Sequence, residues 1–121
     1  MARVVAFIPD LLFGSQVQGS LQMAGYEVDL IGDEDRVPSA LRDAVALVID
    51  LTDDCAHRAG LLQSLPREDL EGVRTLAFYS HVDVEAKHVA EGVGFDVVVP
   101  RSRMAREGAE LVGRLVGEGS G

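Results

Sequence analysis

Tryptophan is absent, lysine occurs once (Lys87), cysteine occurs once (Cys55), and aromatic residues make up 5% of the 121-residue chain. Each shortage closes off a class of protein. A lone cysteine rules out an internal disulfide and any site built from several thiolates, which fits a reducing compartment. Cys55 itself reads as a small apolar residue at the start of a helix. Lys and Arg number 11 against 20 Asp and Glu, a formal charge of -9, so the clustered cations that phosphate backbones and anionic lipid surfaces require are missing. Neither nucleic acid nor a membrane surface is expected as a partner. Met1 to Asp10 passes directly into an apolar strand pattern, so neither a signal peptide nor an anchor is expected, and the expected location is the cytoplasm.

What is present is an aliphatic core and a regular rhythm. The hydrophobic fraction is 47%, carried mainly by Val, Leu, Ala and Ile, and the length suits one domain with one core. Residues 1–116 are read as that domain and 117–121 as a flexible Gly/Ser tail. The organising stretch is Ala44-Val45-Ala46-Leu47-Val48-Ile49-Asp50. Six apolar residues rich in β-branched types, too few to span a membrane, predict a strand buried on both faces of a parallel sheet. The run then breaks into carboxylates at Asp50, Asp53 and Asp54. In open α/β sheets, ligands gather outside the carboxyl ends of the strands, so this edge is where a site is expected.

The rest of the chain alternates in the same way. Arg3 to Ile8 predicts a first strand. Phe13, Val17, Leu21 and Ala24 then mark one face of a helix that Gly25 ends. Glu27 to Ile31 alternates as an edge strand does. Val37 to Arg42 fits a short helix with Pro38 in its first turn. After the central strand, Thr52 or Asp53 is placed to cap a helix reaching about Leu65, before Pro66. Val73 to Tyr79 predicts a fourth strand, Asp83 caps a helix to about Gly92, and Phe95 to Val99 predicts a fifth strand. Ser102 is placed to cap a last helix whose apolar stripe is Met104, Leu111, Val112 and Leu115. Of these, Leu111, Val112 and Leu115 suit either a core or a dimer face. Strands alternating with helices through short loops specify an α/β, doubly wound three-layer sandwich of flavodoxin type, with a five-stranded parallel sheet in order 2-1-3-4-5.

In that order strands 1 and 3 are neighbours, which brings Asp10 and Asp50 to one edge. Carboxylates forced together repel, and a hard cation such as Mg²⁺ is the usual relief, with Asp10 and Asp50 as its ligands. An Asp beside such a cation can also accept a phosphoryl group. Gly14-Ser15-Gln16-Val17-Gln18-Gly19 has glycines spaced roughly as in a phosphate loop, but it lacks the lysine. Gly14 and Ser15 read instead as a helix start, and Gly19 as a close helix-to-sheet contact. His57, His81 and His88 are too scattered for a metal triad; His81, beside Ser80, is the one placed to pair with Asp50 or Asp53.

Across nearly its whole length the layout resembles the receiver domain of bacterial response regulators, the CheY-like fold. The resemblance implies that Asp50 is the phosphoacceptor, Asp10 one acid of the metal-binding loop, and Ser80 the hydroxyl that moves toward the phosphoryl group. Gly92 with Asp96-Val97-Val98-Val99-Pro100 resembles the segment that closes the family's fourth helix and fifth strand, in which the proline is usually preceded by a cis bond. The departures are as specific. Val99 stands where the family has a lysine, one acid follows the first strand where the family has two, and Asp96 occupies the neighbourhood of the switch aromatic, with Phe95 beside it. A charged hydrogen bond to phosphate is worth about 1.5–3 kcal/mol, so losing the lysine removes a large share of the drive for a two-state switch. Lys87 lies mid-helix and cannot replace it, and the stem of Arg101 begins beyond the proline.

These features imply a stand-alone, degenerate receiver-like module, not an enzyme, that works by binding a signalling kinase or an effector protein through its last two strands and helices. A homodimer through that face fits the same reading. The alternative is a small-molecule binder at the same sheet edge. Gly25-Tyr26-Glu27-Val28 and Val37-Pro38 resemble cobalamin domains, yet Asp10-Leu11-Leu12-Phe13-Gly14 carries no axial histidine. A flavin would want more aromatics than Phe13 and Tyr79, and a nucleotide would want the missing lysine.

Overall fold

The computed structural model describes residues 1–120. Its elements are β1 (Arg3–Phe7), α1 (Leu11–Met23), β2 (Glu27–Ile31), a 3-10 turn (Glu34–Arg36) leading into α2 (Val37–Ala40), β3 (Ala44–Asp50), α3 (Cys55–Ser64), a second 3-10 turn (Arg67–Leu70), β4 (Arg74–Tyr79), α4 (Val84–Val93), β5 (Val97–Pro100) and α5 (Arg101–Ser120). The five strands form one parallel sheet in the order β2-β1-β3-β4-β5. This is the doubly wound, flavodoxin-like sandwich that the strand and helix rhythm predicts.

Because side chains alternate across a strand, each central strand feeds two cores. Val4 and Ala6 face Phe13, Val17 and Leu21 of α1 and Met104, Val112 and Leu115 of α5. Val5 and Phe7 face the opposite layer, where Val37, Ala59, Leu62, Ala86, Ala90 and Phe95 pack. The stripe Met104, Leu111, Val112 and Leu115 is buried inside the monomer, which settles its two readings in favour of the core. Among the described residues no helix is long and apolar enough to cross a membrane.

Local chemistry shifts several element ends. Thr52 does not cap α3, because both its backbone N–H and its hydroxyl are donated to Asp50. The cap position passes to Asp54, which sits in the left-handed region at φ 49° and makes no side-chain cap bond. Asp83 does cap α4, accepting from Ala86 N at 3.1 Å. β5 begins two residues later than the apolar run suggests, because Asp96 turns its backbone N–H and its carboxylate onto Thr75. Ser102 lies inside α5, which starts directly after Pro100. No peptide bond among the described residues is cis, so the one before Pro100 is trans. Ala24, expected on the buried face of α1, is the exposed residue that ends it. α5 runs through Ser120, within the stretch expected as a tail, and Gly121 lies outside the described residues.

Candidate functional site

β1 and β3 deliver their acids to the same edge of the sheet. Phe7 lies opposite Ile49 in the ladder, so Asp50 ends β3 one step beyond that pair, while Asp10 follows the short β1–α1 turn. There the two carboxylates part company. Asp50 is buried at 2% exposure. Its Oδ1 accepts the Thr52 backbone N–H at 2.8 Å and the Thr52 hydroxyl at 2.5 Å. Such bonds to an ionised acceptor are the strong ones, and they hold the carboxylate in one orientation. Its Oδ2 stands 3.9 Å from Arg58 Nη1. Asp10 is half exposed and serves as the N-cap of α1, accepting Phe13 N–H at 3.1 Å, while its Oδ2 faces Arg101 Nη2 at 3.5 Å.

Two arginines therefore complete the edge, and neither is signalled by the strand pattern. Arg58 belongs to the first turn of α3, eight residues after Asp50, where its backbone N–H bonds Asp54 O at 3.0 Å. Its guanidinium donates to the Asp50 carbonyl at 3.2 Å, stands 3.9 Å from Asp53 and lies 5.7 Å from the Phe7 ring centroid. No spacing in the sequence signals that a side chain eight residues past the end of β3 returns to it. Arg101 does reach the site despite starting beyond Pro100. It packs over Phe13, 4.1 Å from the ring centroid, and that stack carries it to Asp10.

The donor set does not fit a hard cation. Mg²⁺ needs a near-octahedral shell of oxygens at about 2.0–2.1 Å and is held by carboxylates left open toward it. Here the oxygens of Asp10 and Asp50 that do not accept backbone or hydroxyl hydrogens face guanidinium groups. Among the described residues no three His, Cys, Asp or Glu side chains converge where a metal could sit.

Ser80 follows β4 on the same edge, two residues past Phe78, the ladder partner of Asp50. It is half-buried, and its carbonyl accepts Asp83 N–H at 2.9 Å, while its hydroxyl bonds no other described residue. Val99, where the receiver pattern has lysine, is buried in the core layer with Phe13 and Phe78. Phe95 is likewise a core residue, packed in the opposite layer. His81 is exposed and pairs with neither Asp50 nor Asp53; the histidine that finds a carboxylate is His57, whose Nε2 lies 2.8 Å from Glu34. That contact and the charge of Glu34 push its pKa above the usual histidine range. Cys55 opens α3 half-buried, and desolvation followed by the charge of Asp83 pushes its thiol up, away from the reactive thiolate.

Several solved structures superpose on nearly the whole chain. A response regulator from Thermotoga maritima superposes with a TM-score of 0.80 at 14% identity, covering 97% of this chain and 98% of that one. The Vibrio cholerae chemotaxis protein CheY4 gives 0.80 at 17% identity, covering 95% and 98%. A CheY-like protein (tadZ) from Pseudomonas aeruginosa gives 0.76 at 20% identity, covering 97% and 94%. The fold of this chain is thus that of the receiver domain. No family model and no curated protein matches the sequence.

Proposed function

We propose that this receiver fold serves as a signalling module that acts by contacting another protein, a kinase or an effector, and that it has lost the phosphorylation switch. The observation that carries the reading is Val99. An apolar side chain fills the core where the receiver pattern calls for a lysine to meet the phosphoryl oxygens, so an Asp50 phosphate would lack its principal cationic partner from β5. Arg101, the nearest substitute in sequence, is committed to Asp10. The partner face is made by the last two strands and helices, β4, α4, β5 and α5. It does not use Leu111, Val112 or Leu115, which the core consumes.

A nucleotide or flavin at the sheet edge is the weaker reading. The groove there, of about 370 Å³, sets Asp33, Glu34 and Asp54 against the guanidinium of Arg58 and the imidazole of His57, which is already paired with Glu34. That balance repels phosphate groups.

The test is intact-mass measurement after incubation with Mg²⁺ and acetyl phosphate, with Asp50→Asn alongside. No phosphoryl adduct is expected on either protein. An adduct on the wild type that Asp50→Asn abolishes would restore Asp50 as a working phosphoacceptor and overturn the degenerate reading.

A further inference from the structure

We infer that Arg58 is the resident counter-ion of Asp50, a positioning residue that takes the place of a divalent metal at this edge of the sheet. The inference deepens the reading of the acidic edge above and rests on it only for the location of the site. Asp50 is almost wholly withdrawn from water, its side chain 3% exposed, and a buried carboxylate needs a partner to remain charged. Thr52 satisfies one oxygen. The nearest positive charge to the other is Arg58, itself 14% exposed.

Three further contacts fix the guanidinium there: the hydrogen bond to the Asp50 carbonyl, the approach to Asp53, and the Phe7 ring. A planar group with several donors can make all of these at once, whereas an ammonium group cannot. The position is also one that a cation would otherwise avoid. The first turn of a helix is the positive end of its dipole, so Arg58 there works against α3 unless the acids before the helix hold it. Asp50 and Asp53 provide that hold. A divalent ion approaching Asp50 would meet the guanidinium first and would have to displace it from all four contacts.

Two measurements on the full chain decide the matter. Calorimetric titration with MgCl₂ compares the wild type with Asp50→Asn. Equal heats in both proteins, or none in either, support the assignment; Mg²⁺ binding that Asp50→Asn abolishes overturns it. Thermal unfolding then compares Arg58→Met, Asp50→Asn and the double variant. Removing Arg58 alone strands a buried charge and should lower Tm by about 5 °C or more. Removing the Asp50 charge as well should recover much of that loss, while simple addition of the two losses overturns the pairing. Should Arg58→Met not fold, Arg58→Gln, which also removes the charge, replaces it in the same cycle, and the titration needs no Arg58 variant. Neither measurement involves a phosphodonor, so this inference and the loss of the phosphorylation switch fail separately.

Discussion

Arg101 Nη2 stands 3.5 Å from Asp10 Oδ2, across 91 residues of sequence, and so ties the start of the last helix to the start of the first. Together with Arg58 at Asp50 it assigns one guanidinium to each strand-end acid.

The two pairs differ in depth, and so in consequence. Asp10 and Arg101 are about half exposed, where water screens an ion pair to at most about 1 kcal/mol. The stack on Phe13 adds about 0.5–1 kcal/mol. Arg101→Ala should therefore cost about 1 kcal/mol in urea unfolding. Asp10→Asn, which can still cap α1, should cost less than Asp10→Ala, which loses the cap as well.

Thr75 and Asp96 make a closed set of bonds. Asp96 Oδ2 accepts from Thr75 N at 2.8 Å and from Thr75 Oγ1 at 3.0 Å, and Thr75 Oγ1 accepts from Asp96 N at 3.0 Å. This clasp fixes where β5 starts against β4. Asp96→Ala leaves the Thr75 donors without their acceptor and should cost about 2–3 kcal/mol, against about 1 kcal/mol for Asp96→Asn, which keeps one carbonyl oxygen. Equal losses in chemical denaturation would show that the carboxylate contributes only its shape.

The sheet order is legible in the sequence because five apolar runs of strand length alternate with helical spacing, and few parallel topologies satisfy that pattern. Asp50, Asp10 and Ser80 are legible as edge residues for the same reason. Arg58 and Arg101 are not, since nothing in a linear pattern says that a side chain eight residues past β3 folds back onto its end, or that an aromatic ring carries an arginine across from α5. The clasp at Asp96 is hidden too. An apolar run predicts a strand wherever it begins, and only the tertiary bond to Thr75 shows why β5 starts at Val97.

His57 and Glu34 give the chain a titratable contact between α3 and the turn before α2. The folded-state pKa of His57 lies above its ordinary value of 6.5, first through the hydrogen bond with Glu34 and then through the charge of Glu34. A raised histidine pKa contributes stability that is fully present below 6.5 and is lost as the pH rises through the folded value. An NMR titration of the His57 ring should therefore give a midpoint above 6.5 in the wild type, and Glu34→Gln should lower it. An unchanged midpoint in Glu34→Gln would remove the contact as the cause.

Two glycines of α1 should respond oppositely to the same substitution. The close helix-to-sheet contact expected at Gly19 belongs instead to Gly14. A Cβ at Gly14 would lie 3.1 Å from Leu30 Cδ1 and 3.2 Å from the Ile8 carbonyl, while at Gly19 it would meet nothing within 4 Å. Leu30 can yield by a rotamer change, but the Ile8 carbonyl belongs to the sheet-edge backbone and can yield only if the helix moves. Helix propensity favours alanine over glycine at both positions by about 0.8–1 kcal/mol, whereas overpacking costs about 1–3 kcal/mol. Gly19→Ala should thus stabilise the chain by up to about 1 kcal/mol, and Gly14→Ala should destabilise it by about 1 kcal/mol. Because Gly14 follows Phe13 and donates its backbone N–H to Asp10 O at 2.8 Å, its substitution should also weaken the Arg101–Asp10 pair, and combining it with Arg101→Ala should cost less than the sum of the two. Full additivity in that double variant would place the clash of Gly14→Ala entirely on Leu30 and leave the start of α1 unmoved.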